Sequence, residues 1–306
     1  MRQDYIIPDA WKIIEKGFES ERVESSESLF SLGNGAMGQR ANFEESYSGA
    51  SFQGSYLGGV YYPDKTRVGW WKNGYPEYFA KVLNAPNWIG IRLWVNDEEM
   101  DLAKQSVENF RRELHMQTGI YTRSFQVTFS KGEQITISFT RFLSMARMEL
   151  GAIRMEITAS TDCDIRWEPY IDGNVVNQDS NWDDPFWKHT ETFTQGTFGC
   201  LRSHTLKTEF QVATYMDSRL VVKGENILPI QENLVEDSKI STVYKITLAK
   251  GQTATLYKYG GYVSGANHSH KALVDQAQEQ TAAAVSDGFE ILKKEQAQAW
   301  AQIWER

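Results

Sequence analysis

Three pairs of neighbouring carboxylates are the residues most able to do acid–base work: Glu44-Glu45, Glu98-Glu99 and Asp183-Asp184. Chemistry at a glycosidic bond commonly needs two carboxyl groups facing each other across a sugar ring. Neighbours on a strand point to opposite faces, so an adjacent pair on a strand makes a poor dyad. Glu98-Glu99 follows the turn signal Asn96-Asp97 and reads as a solvated hairpin. His268 and His270 would share one face of a strand, but no third ligand lies near them to complete a metal site. The run Leu32-Gly33-Asn34-Gly35-Ala36-Met37-Gly38 lacks the Lys-Ser/Thr of a phosphate loop and no helical pattern follows it. It reads as a tight turn or bulge between strands. No serine nucleophile elbow is present.

A second kind of chemistry is recognition by aromatic faces. Residues 59–88 carry eight aromatics together with three prolines and three glycines. The prolines and glycines argue against one long strand or helix, so the aromatic payload rides on a structured loop. Rigid aromatics on a loop suit flat apolar faces, sugar rings among them; they equally suit packing of the loop on its own domain. A second loop, Tyr170 to Trp187, is rich in Asn and Asp and contains Asp183-Asp184. Its side chains suit hydrogen bonding to hydroxyls, or to the loop itself.

The elements that must position these loops are strands. From about residue 88 to 262 the dominant period is two. Ile89, Ile91, Leu93 and Val95 alternate with Trp88, Gly90, Arg92 and Trp94. Residues 120–129 and 134–142 flank the turn Ser130-Lys131-Gly132. Segments 149–158, 164–171, 196–205, 208–216, 241–248 and 252–260 behave alike. Many strands joined by short polar turns, with no helices between them, predict a mainly β fold: a large antiparallel two-sheet β-sandwich. After Ser269 the composition turns to Ala, Gln, Glu and Lys. Ser269 is placed to cap a helix carrying Val274, Ala277, Thr281 and Ala284. Asp287-Gly288 interrupts it. A second amphipathic stretch carries Phe289, Leu292, Trp300, Ile303 and Trp304. Its two indoles are expected to find little cover in the chain itself, and a continuation of the chain is expected to bury them. The division predicted is a sandwich over 1–265 and a short α-helical linker over 266–306.

Composition excludes several classes. The chain has 306 residues and a net charge of −8. That balance argues against nucleic-acid partners, which need a dense basic face. The longest apolar runs fall far short of the roughly 20 residues that span a bilayer, and the N-terminal residues lack the pattern of a secretory signal. Cys163 and Cys200 fit two free thiols in a cytoplasmic protein better than a disulfide framework, though one bridge between them is open.

Several stretches in order carry a resemblance: Glu27-Ser28-Leu29-Phe30-Ser31-Leu32-Gly33-Asn34-Gly35, Asn42-Phe43-Glu44-Glu45, the 59–88 segment, Thr140-Arg141-Phe142-Leu143-Ser144-Met145 and Pro169-Tyr170-Ile171-Asp172-Gly173. From about residue 10 onward the chain resembles the amino-terminal part of glycoside hydrolase family 65. The 59–88 segment is similar to the branch that phosphorolyses maltose-type disaccharides. Ala36 departs from a position where relatives often carry an aromatic. The resemblance implies a large sandwich, a helical linker and a following (α/α)6 barrel that carries the catalytic acid. It implies inorganic phosphate as co-substrate and no cofactor, with an α-glucoside disaccharide as substrate. Phosphate would attack the anomeric carbon with inversion, so one protein carboxyl would suffice. No catalytic residue is then expected within residues 1–306. The implied partners are the chain's own catalytic barrel and a second copy in a homodimer. Trp70, Trp71, Asn73 and Tyr78 are the candidates for a substrate rim or a subunit interface. Two alternatives stand beside this reading: a free-standing carbohydrate-binding sandwich, and the amino-terminal domain of a family 65 hydrolase.

Overall fold

The computed structural model describes residues 5–66, 76–178 and 185–305. Strands dominate, and among the described residues every pairing between them is antiparallel. One sheet has 11 strands and a second has 5. Strands Ile120–Thr128, Gln134–Leu143, Leu150–Ala159 and Thr253–Ser264 lie side by side near the middle of the large sheet. Strands Ile91–Val95, Cys163–Asp172 and Lys239–Leu248 build the smaller one. The predicted sandwich is present, because the period-two residues do meet. Phe125, Val127, Ile135, Ile137, Ile157 and Leu256 of the large sheet share one buried core with Leu93, Val95, Ile165, Trp167 and Leu248 of the small one.

Besides the short strands Ile6–Ile7, Lys12–Lys16 and Glu225–Ile227, two long strands of the large sheet escape the periodicity reading. Ser106–His115 and Trp187–Gln195 carry many charged or exposed residues, and they lie towards the margins of the sheet. Marginal strands bury less of either face, so their alternation is weak.

The turn readings hold. Asn96 and Asp97 both take positive φ, 46° and 68°, and close a two-residue hairpin in which Val95 pairs with Glu98. That geometry is the one a right-handed strand twist favours, and Asn and Asp tolerate it. The glycine run is also a turn: strands Leu32–Gly33 and Met37–Gln39 pair across it, with Gly35 at φ 92°. The Asn34 side chain accepts from the amides of Ala36 and Met37 and donates to the carbonyls of Ser144 and Met148.

Both predicted helices are present, with the break at Gly288, but the expected cap is not. The helix Leu273–Asp287 begins after Ala272 with no side-chain cap; Ser269 only accepts from the Ala272 amide. Gly288, at φ 83°, separates it from the helix Phe289–Trp304. Both helices lie on the outer face of the large sheet. Leu273, Ala277, Ala284, Phe289 and Leu292 pack there on Phe142, Leu150, Ala152, Tyr215 and Val263. Ion pairs from Arg147 to Glu295 and Asp287, and from Arg154 to Glu290, frame this contact. Trp300 finds cover in the chain itself: it sits against Gly119, where an added Cβ would lie 2.1 Å from its Nε1. Trp304 stacks on Trp300, meets Trp11 edge-on and stays 47% exposed.

Glu44 and Glu45 also depart from the opposite-face rule. They occupy a bend, not a strand, and both carboxylates converge on Arg123. Glu44 accepts from Arg123 and forms an ion pair with Arg141, each at 2.8 Å. Glu45 engages Arg123 through both oxygens. All four side chains are sealed from solvent. Burial works to lower the Arg123 pKa, but the Glu45 and Glu44 carboxylates outweigh it and hold the guanidinium charged. The pair is therefore a structural ion cluster. Nor is Glu98-Glu99 freely solvated: both are partly buried, with Glu98 bonded to Ser130 and Gln105 and Glu99 to Ser46.

One further buried charge crosses the sandwich. Lys258, on a central strand of the large sheet, donates to the carbonyls of Gly90 and Tyr170 in the small-sheet layer, each at 2.7 Å. Burial holds its pKa well below the usual lysine value, against a smaller upward pull from Glu44.

Candidate functional site

The aromatic segment folds as a two-stranded hairpin beside the sandwich. Strands Tyr61–Lys65 and Tyr78–Val82 pair with Tyr61 opposite Val82 and Lys65 opposite Tyr78. Alternation sorts their side chains. Tyr62, Asp64 and Lys81 turn inward and are buried; Lys81 and Asp64 form an ion pair. Tyr61, Tyr78 and Val82 share the opposite face, and Val82 is 58% exposed. Phe79 is exposed as well. Trp70, Trp71 and Asn73 fall at 67–75, outside the described residues; Tyr78 is described and stands on the exposed face.

The root of the hairpin is anchored by aromatics from elsewhere in the chain. Tyr62 meets Phe186 with ring centroids 4.7 Å apart, and Tyr61 meets Phe210 at 5.3 Å. Phe186 belongs to the second loop that the sequence singled out. Of that loop, residues 170–178 and 185–187 are described, and Asp183-Asp184 lie outside them.

The two loops join at asparagines. Asn87 and Asp172 exchange both backbone hydrogen bonds, at 2.7 and 2.9 Å. Beyond them the ladder stops: Pro86 has no N–H to give, and the Ala85 amide goes to the Ser55 carbonyl. Side-chain amides take over. The Asn177 Oδ1 accepts from the Asn84 amide at 2.9 Å, and its Nδ2 donates to the Val82 carbonyl at 2.8 Å. The Asn84 Nδ2 donates to the Val176 carbonyl, its Oδ1 accepts from the Ser55 amide, and its own carbonyl accepts from the Trp187 Nε1. Asn84 is 8% exposed. The hairpin and the 173–178 loop thus form one continuous rim, on which Tyr61, Tyr78, Val82 and Val176 are exposed.

Beneath the rim, His189 lies against Gly173, whose added Cβ would fall 2.5 Å from the ring. Its Nδ1 is 2.8 Å from the Ser203 hydroxyl. Burial lowers the His189 pKa, only partly offset by the Gly173 backbone and Asp172. The other histidine of interest, His268, contacts the Glu149 carboxylate at 2.9 Å; Gln280 donates to the same oxygen. Among the described residues no group of three or more His, Cys, Asp or Glu is placed to hold a metal. Cys163 and Cys200 are both buried and unbridged, and burial pushes the Cys200 thiol up to about 12.

What the rim can do is contact a flat apolar or hydroxylated surface through aromatic faces. It holds no described carboxylate pair open to solvent with which to run acid–base chemistry itself.

Comparisons with known proteins show the family. The family described as "Glycosyl hydrolase family 65, N-terminal domain" matches residues 13–303. The chain is 40% identical over 298 residues to a maltose phosphorylase of Bacillus subtilis (strain 168), covering 97% of this chain and 39% of that protein. It is 29% identical to an alpha,alpha-trehalose phosphorylase of Thermoanaerobacter brockii, covering 96% of this chain and 39% of that protein. A solved structure described as "Putative kojibiose phosphorylase from human microbiome" superposes with a TM-score of 0.88 at 26% identity, over 99% of this chain and 39% of that one. The chain thus spans about two fifths of the length of these relatives.

Proposed function

The chain belongs to the glycosyl hydrolase family 65 amino-terminal domains, and from that premise we propose that it is the non-catalytic sandwich of a disaccharide phosphorylase of maltose type. The observation that carries this reading is the 40% identity to a maltose phosphorylase sustained over 97% of the chain. In this reading residues 1–265 form the sandwich and 266–306 a linker to an (α/α)6 barrel. The barrel supplies the general acid and binds inorganic phosphate as co-substrate, and no cofactor takes part. Phosphate attacks the anomeric carbon as the acid protonates the leaving oxygen, giving an inverted sugar 1-phosphate. The proposed place of work is the cytoplasm. Separately, no described helix is long and apolar enough to cross a membrane.

The part assigned to this chain is the rim. Its exposed aromatic face borders the barrel mouth, excludes water and orients the acceptor sugar, and Trp70, Trp71 and Asn73 of the same sequence segment are assigned to the same task. Full-length protein incubated with maltose should yield glucose 1-phosphate only when phosphate is present. Glucose release independent of phosphate would point to a hydrolase and overturn the proposal. Trp70→Ala or Trp71→Ala in the same protein should raise KM for maltose; two variants with wild-type kinetics would remove the rim from the active site. The same apolar face supports a second role, contact between two copies in a homodimer. Light scattering on the variants separates the roles, since loss of a dimer would halve the mass.

A further inference from the structure

We infer that Asn177 is a positioning residue, whose carboxamide locks the 173–178 loop to the aromatic hairpin so that the two segments act as one rim. This rests on the rim reading above and names the group that holds the rim together.

The geometry explains why an asparagine stands there. In an extended chain the carbonyl of one residue and the amide of the residue two further on turn toward the same edge. On the hairpin side these are the Val82 carbonyl and the Asn84 amide. A neighbouring strand would normally meet them with one N–H and one C=O. The Asn177 carboxamide presents that same donor and acceptor from a single side chain. It does so where Pro86 and the engaged Ala85 amide interrupt the backbone ladder. Asp offers the acceptor without the donor, Ser offers one oxygen for two positions, and Gln is a methylene too long for the gap. Asn84 answers with its own side chain to Val176. The joint is thus reciprocal, and each loop holds the other.

Without the Asn177 amide, the backbone bridge between Asn87 and Asp172 and the aromatic contacts of Phe186 remain. The fold should therefore survive its removal while the rim loosens. Losing the two hydrogen bonds that reach the hairpin should speed its local opening on the order of 10- to 30-fold.

The experiment is amide hydrogen exchange on the full-length protein with Asn177→Ala and Asn177→Asp, combined with steady-state phosphorolysis of maltose. In Asn177→Ala, amides over residues 78–84 should exchange about 10- to 30-fold faster, with residues 135–157 of the core unchanged. Asn177→Asp, which keeps the acceptor for Asn84, should fall between Asn177→Ala and the wild type. KM for maltose should rise as it does in Trp71→Ala, and the double variant should show less than the product of the two single effects, because both act through one rim. Unchanged exchange over 78–84 would overturn the inference, as would a rise spread equally through the core. Faster local exchange with wild-type KM, alongside a raised KM in Trp71→Ala, would refute the positioning role and leave the rim reading standing. Wild-type KM in Trp71→Ala as well would instead refute the rim reading.

Discussion

Replacing Arg123 by Met tests the buried ion cluster most directly. Arg123 is the common partner of Glu45 and Glu44, and all three side chains are fully buried. Its guanidinium carbon also sits 4.4 Å from the Phe43 ring centre and 4.5 Å from that of Phe139. Methionine keeps much of the apolar contact but removes the charge. Glu45 then loses its ion-pair partner, while Glu44 retains Arg141. Leaving one buried carboxylate uncompensated costs about 3–5 kcal/mol. The lost ring contacts add roughly 0.5–1 kcal/mol each. A loss of about 4–7 kcal/mol, with a urea dependence of roughly 3 kcal/mol per M for a chain of this size, moves the unfolding midpoint down by about 1.3–2.3 M. The assay is urea unfolding followed by tryptophan fluorescence, with the slope checked for constancy. Adding Glu45→Leu to Arg123→Met should recover more than half of the loss, since the orphaned carboxylate is removed with its partner. A single variant that loses less than 1 kcal/mol, or a double variant no better than the single, would refute the account of this cluster as a mutually dependent buried network.

The His189 environment predicts a pH effect. Burial lowers its folded pKa below 6.5, so the unfolded chain binds the proton more readily, and the stability present above pH 6.5 is lost as pH falls through the folded value. The melting temperature should decline from pH 7 towards pH 5, and His189→Gln should flatten that decline; an identical slope in the variant would count against it. Gly119→Ala should destabilise by about 2–3 kcal/mol, because φ there is +62° and the new Cβ would meet the Trp300 ring. Red-shifted tryptophan emission should accompany the loss, and unchanged emission would contradict the assigned packing.

The main strands were legible because burial on one face leaves a period of two that no other element imitates. The turn at Asn96-Asp97 was legible because positive φ restricts residue type. The marginal strands Ser106–His115 and Trp187–Gln195 were not, since little of either face is buried. Glu44-Glu45 misled because the opposite-face rule presupposes a strand, and a bend frees both side chains to meet one cation. The joint between the two candidate loops was hidden for another reason. Asn84 and Asn177 lie 93 residues apart, and a lone asparagine in a polar loop carries no sign of its partner. Family resemblance supplied the assignment of the whole, while the rim's internal connections came from three-dimensional geometry alone.

The Lys258 crosspiece has a mechanical consequence. Two sheets held only by interdigitated apolar side chains resist separation well but resist sliding less, because apolar contact has no preferred direction. An ammonium bonded to Gly90 and Tyr170 is directional. A slip of one residue, about 3.3 Å, would strand it in a dry interior. The sandwich is therefore pinned against shear here, as it also is where the Tyr244 hydroxyl of the small sheet donates to the Ser218 carbonyl of the large one at 2.8 Å. Gly90 and Tyr170 lie close along the chain to Asn87 and Asp172, where the rim is rooted, and the helices lie on the sheet that carries Lys258. Rim and helices are thus referenced to one fixed frame, and displacement of either should be a local tilt on that frame, not a slide of one sheet across the other.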